Sequence, residues 1–305
     1  MRIVSLLPAA TEICYALGLG GAIVGVSPEC DHPAAARTKP IVSRALLPYE
    51  GKSSGETSRM VGERLASGGG LYQVDAEALG TADPDLILTQ GLCDVCAPTL
   101  GDVEDMARDL SRPPEILSLD PHTLTDVLAD IARVGRQCDV EERAFDVVND
   151  LRGRIEHVAK RARKENDRPR TLCMEWLEPL FVAGHWVPEM VDLAGGIDVL
   201  GHPGEKSRRV ISDDIVNASP ELAVLMPCGF DLERTRTEAA IVTQSPWWSR
   251  LPASWNGRTW VVDGSSYFNR PGPRLVDGLE ILAHILHPNL FPQQPASRDA
   301  QPWVA

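Results

Sequence analysis

The chain has 305 residues with 30 basic and 43 acidic side chains, which gives a formal net charge of −13. This acidic balance argues against nucleic acid or an anionic membrane surface as a partner, because both are polyanions. The hydrophobic share of 43% and the charged share of 24% are ordinary for folded proteins and exclude a generally disordered chain.

The N-terminal residues MRIVSLLPAATEI contain one Arg and only a short apolar run before Pro8, unlike a secretory signal. No run of about 18 apolar residues follows, so we predict no membrane insertion. Seven cysteines, an odd number, are not typical of a disulfide framework. We therefore expect a cytoplasmic protein, or a periplasmic one if the start site is misassigned.

Strands and helices alternate in the first third of the chain. Apolar runs predict strands at 2–7, 22–27, 82–90 and 115–120, a helix capped by Thr11, and another over 102–110. This β-α-β order is typical of a parallel sheet with helices on its faces. The segment 50–70, rich in Gly and Ser, is expected to be flexible.

A helical zone comes next. Apolar residues recur at helical spacing from 123 to 137 and from 140 to 166, where Pro169 ends the pattern. The second helix, of about 27 residues, would span about 40 Å, enough to join two domains.

The strand–helix pattern then restarts. Strands are predicted at 171–177, 221–227 and 258–264, and helices at 187–196 and 273–286. We therefore predict an α/β fold of two α/β lobes with parallel sheets, joined by one long backbone helix, with a ligand cleft between the lobes. The expected boundaries are 1–121 and 169–292 for the lobes, 122–168 for the helical linker and 293–305 for a disordered tail.

Ligands of α/β sheets bind at the carboxyl ends of strands, where this chain places several cysteines. Cys93 and Cys96 follow the third predicted strand, and Cys30 and His32 follow the second. Three thiolates and one imidazole can hold zinc or another soft metal in tetrahedral geometry. Cys93 and Cys96 can alternatively form a redox pair, and all four residues can be inert groups near a cleft.

Aromatic and ionisable side chains occupy the strand ends of the second predicted lobe. Trp176, Trp186, Trp247 and Trp248 can form walls for a large flat ligand, or they can seal the core of the lobe. Glu175 and His185 can transfer protons, although residues in such turns are more often structural.

Several stretches resemble the helical-backbone periplasmic binding proteins. They are RIVSLLPAATEICYALGLGGAIVGVS, the CDHP that follows, ADPDLILTQ, and WVVDGSSYFNRPGPRLVDGLEILAHILHP. Over residues 1–292 the chain is most similar to the cobalamin-binding, BtuF-like branch that serves ABC importers. The resemblance implies two α/β lobes joined by one long helix, with a small-molecule ligand bound between the lobes.

For this chain the resemblance implies a cobalamin-like (corrinoid) or metal-chelate ligand. The ligand-binding residues expected on the strand-end loops are Pro8, Ala9, Glu29, Glu175, Trp176, His185, Trp186, Trp247, Tyr267 and Arg270. The cysteines near these loops depart from the polar and aromatic loops of the transport proteins. An ABC importer is an expected partner only if the protein is exported.

Two functions of different classes remain open. A binding protein would hold the corrinoid between Trp walls, with Cys30 or His32 near cobalt, and would show no turnover. A metal-dependent enzyme would bind its ion through Cys30, His32, Cys93 and Cys96 and use Glu175 or His185 as proton carrier. We favour the binding protein; a thiol redox protein using Cys93 and Cys96 is a third, weaker hypothesis.

Overall fold

The computed structural model describes residues 1–49, 51–91 and 98–303. The chain divides into two compact units. The first unit comprises Met1–Lys52, Glu56–Pro121 and Asp126–Asn149, and the second comprises Ser53–Gly55, His122–Thr125 and Asp150–Ala305. The helical zone predicted as a linker, 122–168, is therefore shared between the two units.

The main sheet of the first unit has four parallel strands, which are β1 (Ile3–Ser5), β2 (Ile23–Val26), β5 (Leu86–Thr89) and β6 (Glu115–Ser118). Their order in the sheet is β2–β1–β5–β6. The central strands β1 and β5 are buried along their whole length, which explains their continuous apolar runs. A separate antiparallel pair consists of β3 (Ser43–Ala45) and β4 (Tyr72–Val74).

The helices before the second sheet are α1 (Pro8–Ala16), α2 (Ser54–Ala66), α3 (Ala76–Ala82), α4 (Leu100–Arg108), α5 (Leu124–Gln137) and α6 (Glu141–Ala162). Two expectations were wrong here. Thr11 does not cap α1, because the helix already begins at Pro8, whose fixed φ suits a first helical position. The segment 50–70 is not a flexible excursion, since it contains the 13-residue helix α2.

The predicted long helix is α6, whose 22 residues span about 33 Å. It ends at Ala162 and not at 166, because the next six residues, RKENDR, offer no apolar side chain to bury. Its first residues, 141–149, belong to the first unit and the rest to the second. In the second unit, Arg154 of α6 forms ion pairs with Asp277 and Glu280.

The sheet of the second unit is mixed. Its strands are β7 (Arg170–Trp176), β8 (Phe181–Val182), β9 (Ile197–Asp198), β10 (Arg208–Arg209), β11 (Leu222–Leu225), β12 (Thr259–Val262) and β13 (Ala300–Pro302). The order is β10–β8–β7–β11–β12–β13, and β9 also pairs with β7. Among its described strands, β7, β9, β11 and β12 run parallel to one another as predicted, whereas β8, β10 and β13 pair antiparallel and correct the prediction of parallel sheets for this unit.

The remaining helices flank this sheet. They are α7 (Val187–Leu193), α8 (Ser212–Ala218), α9 (Leu232–Glu238), α10 (Ala240–Thr243), α11 (Pro252–Trp255), α12 (Gly264–Tyr267) and α13 (Leu275–Leu286). The core of this unit contains Leu172 of β7, Leu225 of β11 and Val261 of β12. These side chains pack with apolar residues of α8 to α11. This core supports the strand ends described below.

Part of the tail 293–305, which was predicted to be disordered, is an ordered strand. Ala300–Pro302 form β13, which pairs antiparallel with β12. The Trp303 amide donates to the Thr259 carbonyl at 2.7 Å, and its side chain packs on the core. Without β13, the backbone groups of β12 on that side would lack strand partners, a tertiary requirement that composition does not reveal.

The predicted fold class, two α/β units with one long helix, is confirmed. Within the described ranges, no helix is both long and apolar enough to span a membrane.

Candidate functional site

Three parallel strands of the second unit end at the same edge of the sheet. Met174 of β7, Leu225 of β11 and Val261 of β12 are in register, so the loops that follow these strands are neighbours. Such carboxyl edges are where open α/β sheets bind ligands.

Trp176 lies at the carboxyl end of β7 and is only half-buried. Its indole N–H donates to the Glu178 carbonyl at 2.9 Å, which fixes the ring. The ring packs at 60° against Phe230, with centroids 5.3 Å apart, and Phe230 is 1% exposed. An anchored aromatic ring that keeps part of its surface accessible can stack against a flat ligand.

Arg234, on α9, packs on the same phenylalanine. The centre of its guanidinium lies 3.7 Å from the Phe230 ring centroid, and its Nε lies 3.9 Å from a carboxylate oxygen of Glu238. Burial lowers the pKa of Arg234, while the charges of Glu238 and Asp231 oppose that shift. Trp176 and Arg234 thus form one half-exposed surface supported by Phe230.

Glu175 precedes Trp176 at a point where the pairing of β7 with β8 is irregular. Burial raises the pKa of its carboxyl group, and the Ser207 hydroxyl and the Gly184 amide oppose the shift. Gly184 lies directly against the loop 205–207: a Cβ there would be 2.5 Å from the Glu205 oxygen and from the Ser207 nitrogen. Only glycine fits at this position.

His185 follows in this turn with a positive φ of 52°. Its amide donates to the Glu205 carbonyl, and its ring lies 5.6 Å from that of His122 and 5.4 Å from that of Trp186. Burial lowers the pKa of the imidazole, and the neighbouring His122 and Lys206 lower it further. The neutral ring is therefore favoured, and among the described residues its buried Nδ1 has no hydrogen-bond partner.

The other predicted residues of this unit have different surroundings. Trp186 is 5% exposed and its N–H donates to the Phe268 carbonyl, so it seals the core beneath the turn. Tyr267 donates to Asp299 at 3.0 Å, and Arg270 donates to the Ser265 hydroxyl at 3.1 Å. Trp247 packs against Trp248 between α10 and α11, where the chain returns to the amino edge of the sheet.

The predicted residues of the first unit lie at the carboxyl ends of β1 and β2. Pro8 and Ala9 open α1, and Ala9 is 3% exposed. Glu29 is half-buried, His32 is exposed and Cys30 is 3% exposed. The Cys30 sulfur lies 3.0 Å from the Thr11 hydroxyl and 3.3 Å from that of Ser27.

The environment of Cys30 favours a neutral thiol. Burial raises its pKa, and the Ser27 and Thr11 hydroxyls offset only part of that shift. Cys93 and Cys96 lie outside the described residues. Among the described residues, no three His, Cys, Asp or Glu side chains are grouped to hold a metal ion. The four-residue metal site stays a prediction.

The comparisons with known proteins agree with this architecture. A family model described as periplasmic binding protein matches residues 3–265. The chain belongs to the periplasmic binding protein family. Members of this family bind small molecules for ABC importers, which confirms the resemblance seen in the sequence and the expectation of a small-molecule ligand.

Relatives of the family cover nearly the whole chain. A vitamin B12-binding protein of Vibrio vulnificus is 25% identical over 283 residues, covering 92% of this chain and 87% of the relative. The structure of the periplasmic vitamin B12 binding protein BtuF of Vibrio cholerae has a TM-score of 0.67 at 22% identity, covering 96% and 98% of the two chains. A periplasmic heme binding protein of Pseudomonas aeruginosa has a TM-score of 0.71 at 23% identity, covering 94% and 92%.

Sequence reasoning missed part of the carboxyl edge of the second unit. Phe230, Arg234 and Glu238 follow the end of β11 and are absent from the predicted set, as is Ser54, whose amide donates to Glu238 at 2.8 Å. The position of PCGFDLER after a predicted strand was the available signal. The role of Ser54 had no local signal, since it is 184 residues from Glu238.

Proposed function

We propose that this family member binds a flat, metal-bearing macrocycle, with cobalamin as the first candidate, at a site that includes the carboxyl edge of the second unit. The observation that carries the proposal is the similarity to the vitamin B12-binding protein of Vibrio vulnificus over 92% of this chain. Proteins that are 25% identical can bind different ligands. The proposal is therefore tested by substituting residues of the site.

Trp176 is the residue through which the proposal is best tested. Its indole is fixed by the Glu178 carbonyl and by Phe230, and it stays half-buried. A ring held in this way loses little conformational entropy on stacking against a corrin or porphyrin plane. His185, whose imidazole pKa is lowered by burial, follows the antiparallel strand β8 and is a second candidate contact for the ligand.

The first experiment is an absorbance titration of the reduced, metal-free protein with hydroxocobalamin, with hemin titrated in parallel. The expected result is a saturable 1:1 spectral shift with hydroxocobalamin. Trp176→Ala should weaken binding at least about tenfold, because loss of an aromatic residue central to a binding site costs about 2 kcal/mol or more.

Trp255→Ala is the matched control, since Trp255 is 69% exposed on α11, which lies at the amino edge of the sheet. The control should bind like the parent protein. A lack of any spectral shift and of co-elution on gel filtration with hydroxocobalamin would overturn the cobalamin proposal. Tight binding of hemin alone would replace it with haem.

The metal-enzyme hypothesis needs a different measurement. If Cys30, His32, Cys93 and Cys96 hold an ion, the purified protein should contain about one equivalent of zinc or another soft metal, lost in Cys93→Ser. A metal-free protein that binds hydroxocobalamin would argue for the binding function alone.

Cytoplasmic localisation stays a prediction. A tagged copy should fractionate with the cytoplasm if that expectation holds. Recovery outside the cytoplasmic membrane would contradict it and would fit the role of an importer component.

A further inference from the structure

Arg234 packs on the same phenylalanine, Phe230, as Trp176, the residue proposed to stack against the ligand. The guanidinium lies 3.7 Å from one side of Phe230, and the Trp176 ring meets the same phenylalanine at 5.3 Å. Phe230 itself is 1% exposed, so a ligand at this edge would meet the indole and the guanidinium and not the phenyl ring. An apolar flat surface and a positive charge thus lie side by side.

Glu238 lies beside the guanidinium of Arg234 and is itself held by Ser54. Glu238 is 9% exposed, and its Oε2 accepts a hydrogen bond from the Ser54 amide at 2.8 Å. Its other oxygen, Oε1, lies 3.9 Å from Nε of Arg234, longer than a close hydrogen-bonded pair. The contacts with Phe230 and Glu238 orient Arg234 while leaving it half-buried.

We propose that Arg234 is a specificity-determining residue that binds an anionic substituent of the macrocycle stacked near Trp176; this rests on the proposed function. A planar guanidinium forms paired hydrogen bonds with a carboxylate or a phosphate oxygen pair. The two candidate macrocycles carry such groups in different forms: hydroxocobalamin has a phosphodiester in its nucleotide loop, and haem has two propionates. The shared chemistry is a fixed negative charge at the rim of a flat ring system.

The partial burial of Arg234 supports this role. Burial lowers the pKa of the guanidinium, which means that the surroundings stabilise its charge less than water does. Charge-assisted hydrogen bonds in partly desolvated sites are stronger than neutral ones, so an anionic ligand would be preferred over a neutral analogue.

The test compares ligands that differ in the anionic group. Hydroxocobalamin is paired with dicyanocobinamide, which lacks the nucleotide loop and its phosphate, and hemin is paired with its dimethyl ester. Affinities for all four are measured with the parent protein, Arg234→Gln, Arg234→Lys and the control Arg236→Gln. Arg236 is exposed on the same helix.

Whichever pair of ligands the parent binds, Arg234→Gln should weaken binding of the anionic ligand of that pair by about tenfold or more. The reason is that a hydrogen bond to a charged group is worth about 1.5–3 kcal/mol. It should change the affinity for the uncharged analogue by less than about twofold. Arg234→Lys should recover part of the loss, and Arg236→Gln should match the parent. Higher salt should weaken the parent more than Arg234→Gln.

The outcomes separate this inference from the proposed function. Equal weakening of both members of a pair by Arg234→Gln, with an unchanged thermal midpoint, would overturn the inference while leaving macrocycle binding intact. If the thermal midpoint falls for Arg234→Gln but not for Arg234→Lys, the charge of Arg234 stabilises the fold. The affinities for the paired ligands are then compared between the parent and Arg234→Lys. No binding of any of the four ligands to the parent would overturn the proposed function itself.

Discussion

The backbone amide of Ser54 donates a hydrogen bond of 2.8 Å to Oε2 of Glu238, a residue 184 positions further along the chain. Ser54 begins α2, and its amide belongs to the helical first turn, whose N–H groups lack partners within the helix. The carboxylate therefore satisfies a buried donor and meets the positive end of the helix. The carboxyl group of Glu178 is also close to the start of α2: a Cβ on Gly55 would lie 2.5 Å from one of its oxygens.

Glu238→Ala should lower the free energy of unfolding by about 1–3 kcal/mol, because it leaves the buried Ser54 amide without an acceptor. Glu238→Gln should cost less, since its amide oxygen can still accept. Chemical denaturation followed by circular dichroism measures both. Glu233→Ala, an exposed glutamate on the same helix, is the control and should change little. Equal stability of Glu238→Ala and Glu233→Ala would contradict the contact.

Asp198 should make stability depend on pH. Burial raises its pKa to about 6, although Oδ1 accepts from the amides of Leu200 and Gly201, and His202 and Arg208 are nearby. A pKa raised in the folded state favours the protonated form. Its stabilising contribution is therefore present below the unfolded pKa of about 3.9 and is lost as the pH rises through about 6.

Asp198→Asn removes this titration. The variant should gain about 1–2 kcal/mol in stability relative to the parent between pH 4 and pH 7.5, a value reduced from the full shift because the residue is only partly buried. Urea denaturation at several pH values measures the difference. A constant difference across that range would show that Asp198 does not titrate as described.

Gly184→Ala should destabilise the turn that holds His185. Its Cβ would lie 2.5–2.6 Å from backbone atoms of Glu205, Lys206 and Ser207, which cannot move aside as a flexible side chain can. Overpacking of this kind costs about 1–3 kcal/mol, and binding of hydroxocobalamin should weaken as the loop shifts.

The matched control is Gly153→Ala in the exposed part of α6, where a Cβ meets no atom within 4 Å. This substitution should raise stability by about 0.5–1 kcal/mol, because alanine loses less backbone entropy in a helix than glycine. Thermal unfolding of the two variants should therefore shift in opposite directions. A shift in the same direction for both would contradict the packing at Gly184.

Trp303→Ala should show that the C-terminal strand belongs to the fold. The indole packs against the core of the second unit, and the amide pairs with Thr259 beside β12. Loss of a half-buried aromatic side chain should cost about 1–3 kcal/mol and lower the thermal midpoint. Gln293→Ala, exposed in the segment before β13, should leave the midpoint unchanged. An unchanged midpoint in Trp303→Ala would restore the prediction of a disordered tail.

The elements that sequence reasoning located best have strong local patterns. The buried strands β1 and β5 are continuous apolar runs, and α6 repeats apolar residues on one face between turn signals. Boundaries were less accurate where two signals compete. Pro8 was interpreted as the end of a strand, although proline is equally suited to the first turn of a helix, and the structure uses it there.

The predicted site residues divide according to their burial. Trp176 lies at the carboxyl edge of the second unit, as its position at the end of a predicted strand indicates, whereas His185 follows the short antiparallel strand β8. Trp186 occupies the next position in the chain but is buried with its N–H bonded to Phe268. Sequence cannot separate the two cases, because an aromatic residue after a strand serves a core and a binding site equally well.

The fold class, the long helix and the carboxyl ends of the buried strands could be predicted from the sequence, because apolar periodicity and turn residues act over a few neighbouring positions. Three features could not be predicted in this way: Ala300–Pro302 complete a sheet, Cys30 is a buried thiol, and Ser54, Glu238, Arg234 and Phe230 form one cluster beside Trp176. These features depend on contacts between residues far apart in the chain. Their free energy comes from burial and hydrogen bonding, which exist only once the sheet has assembled.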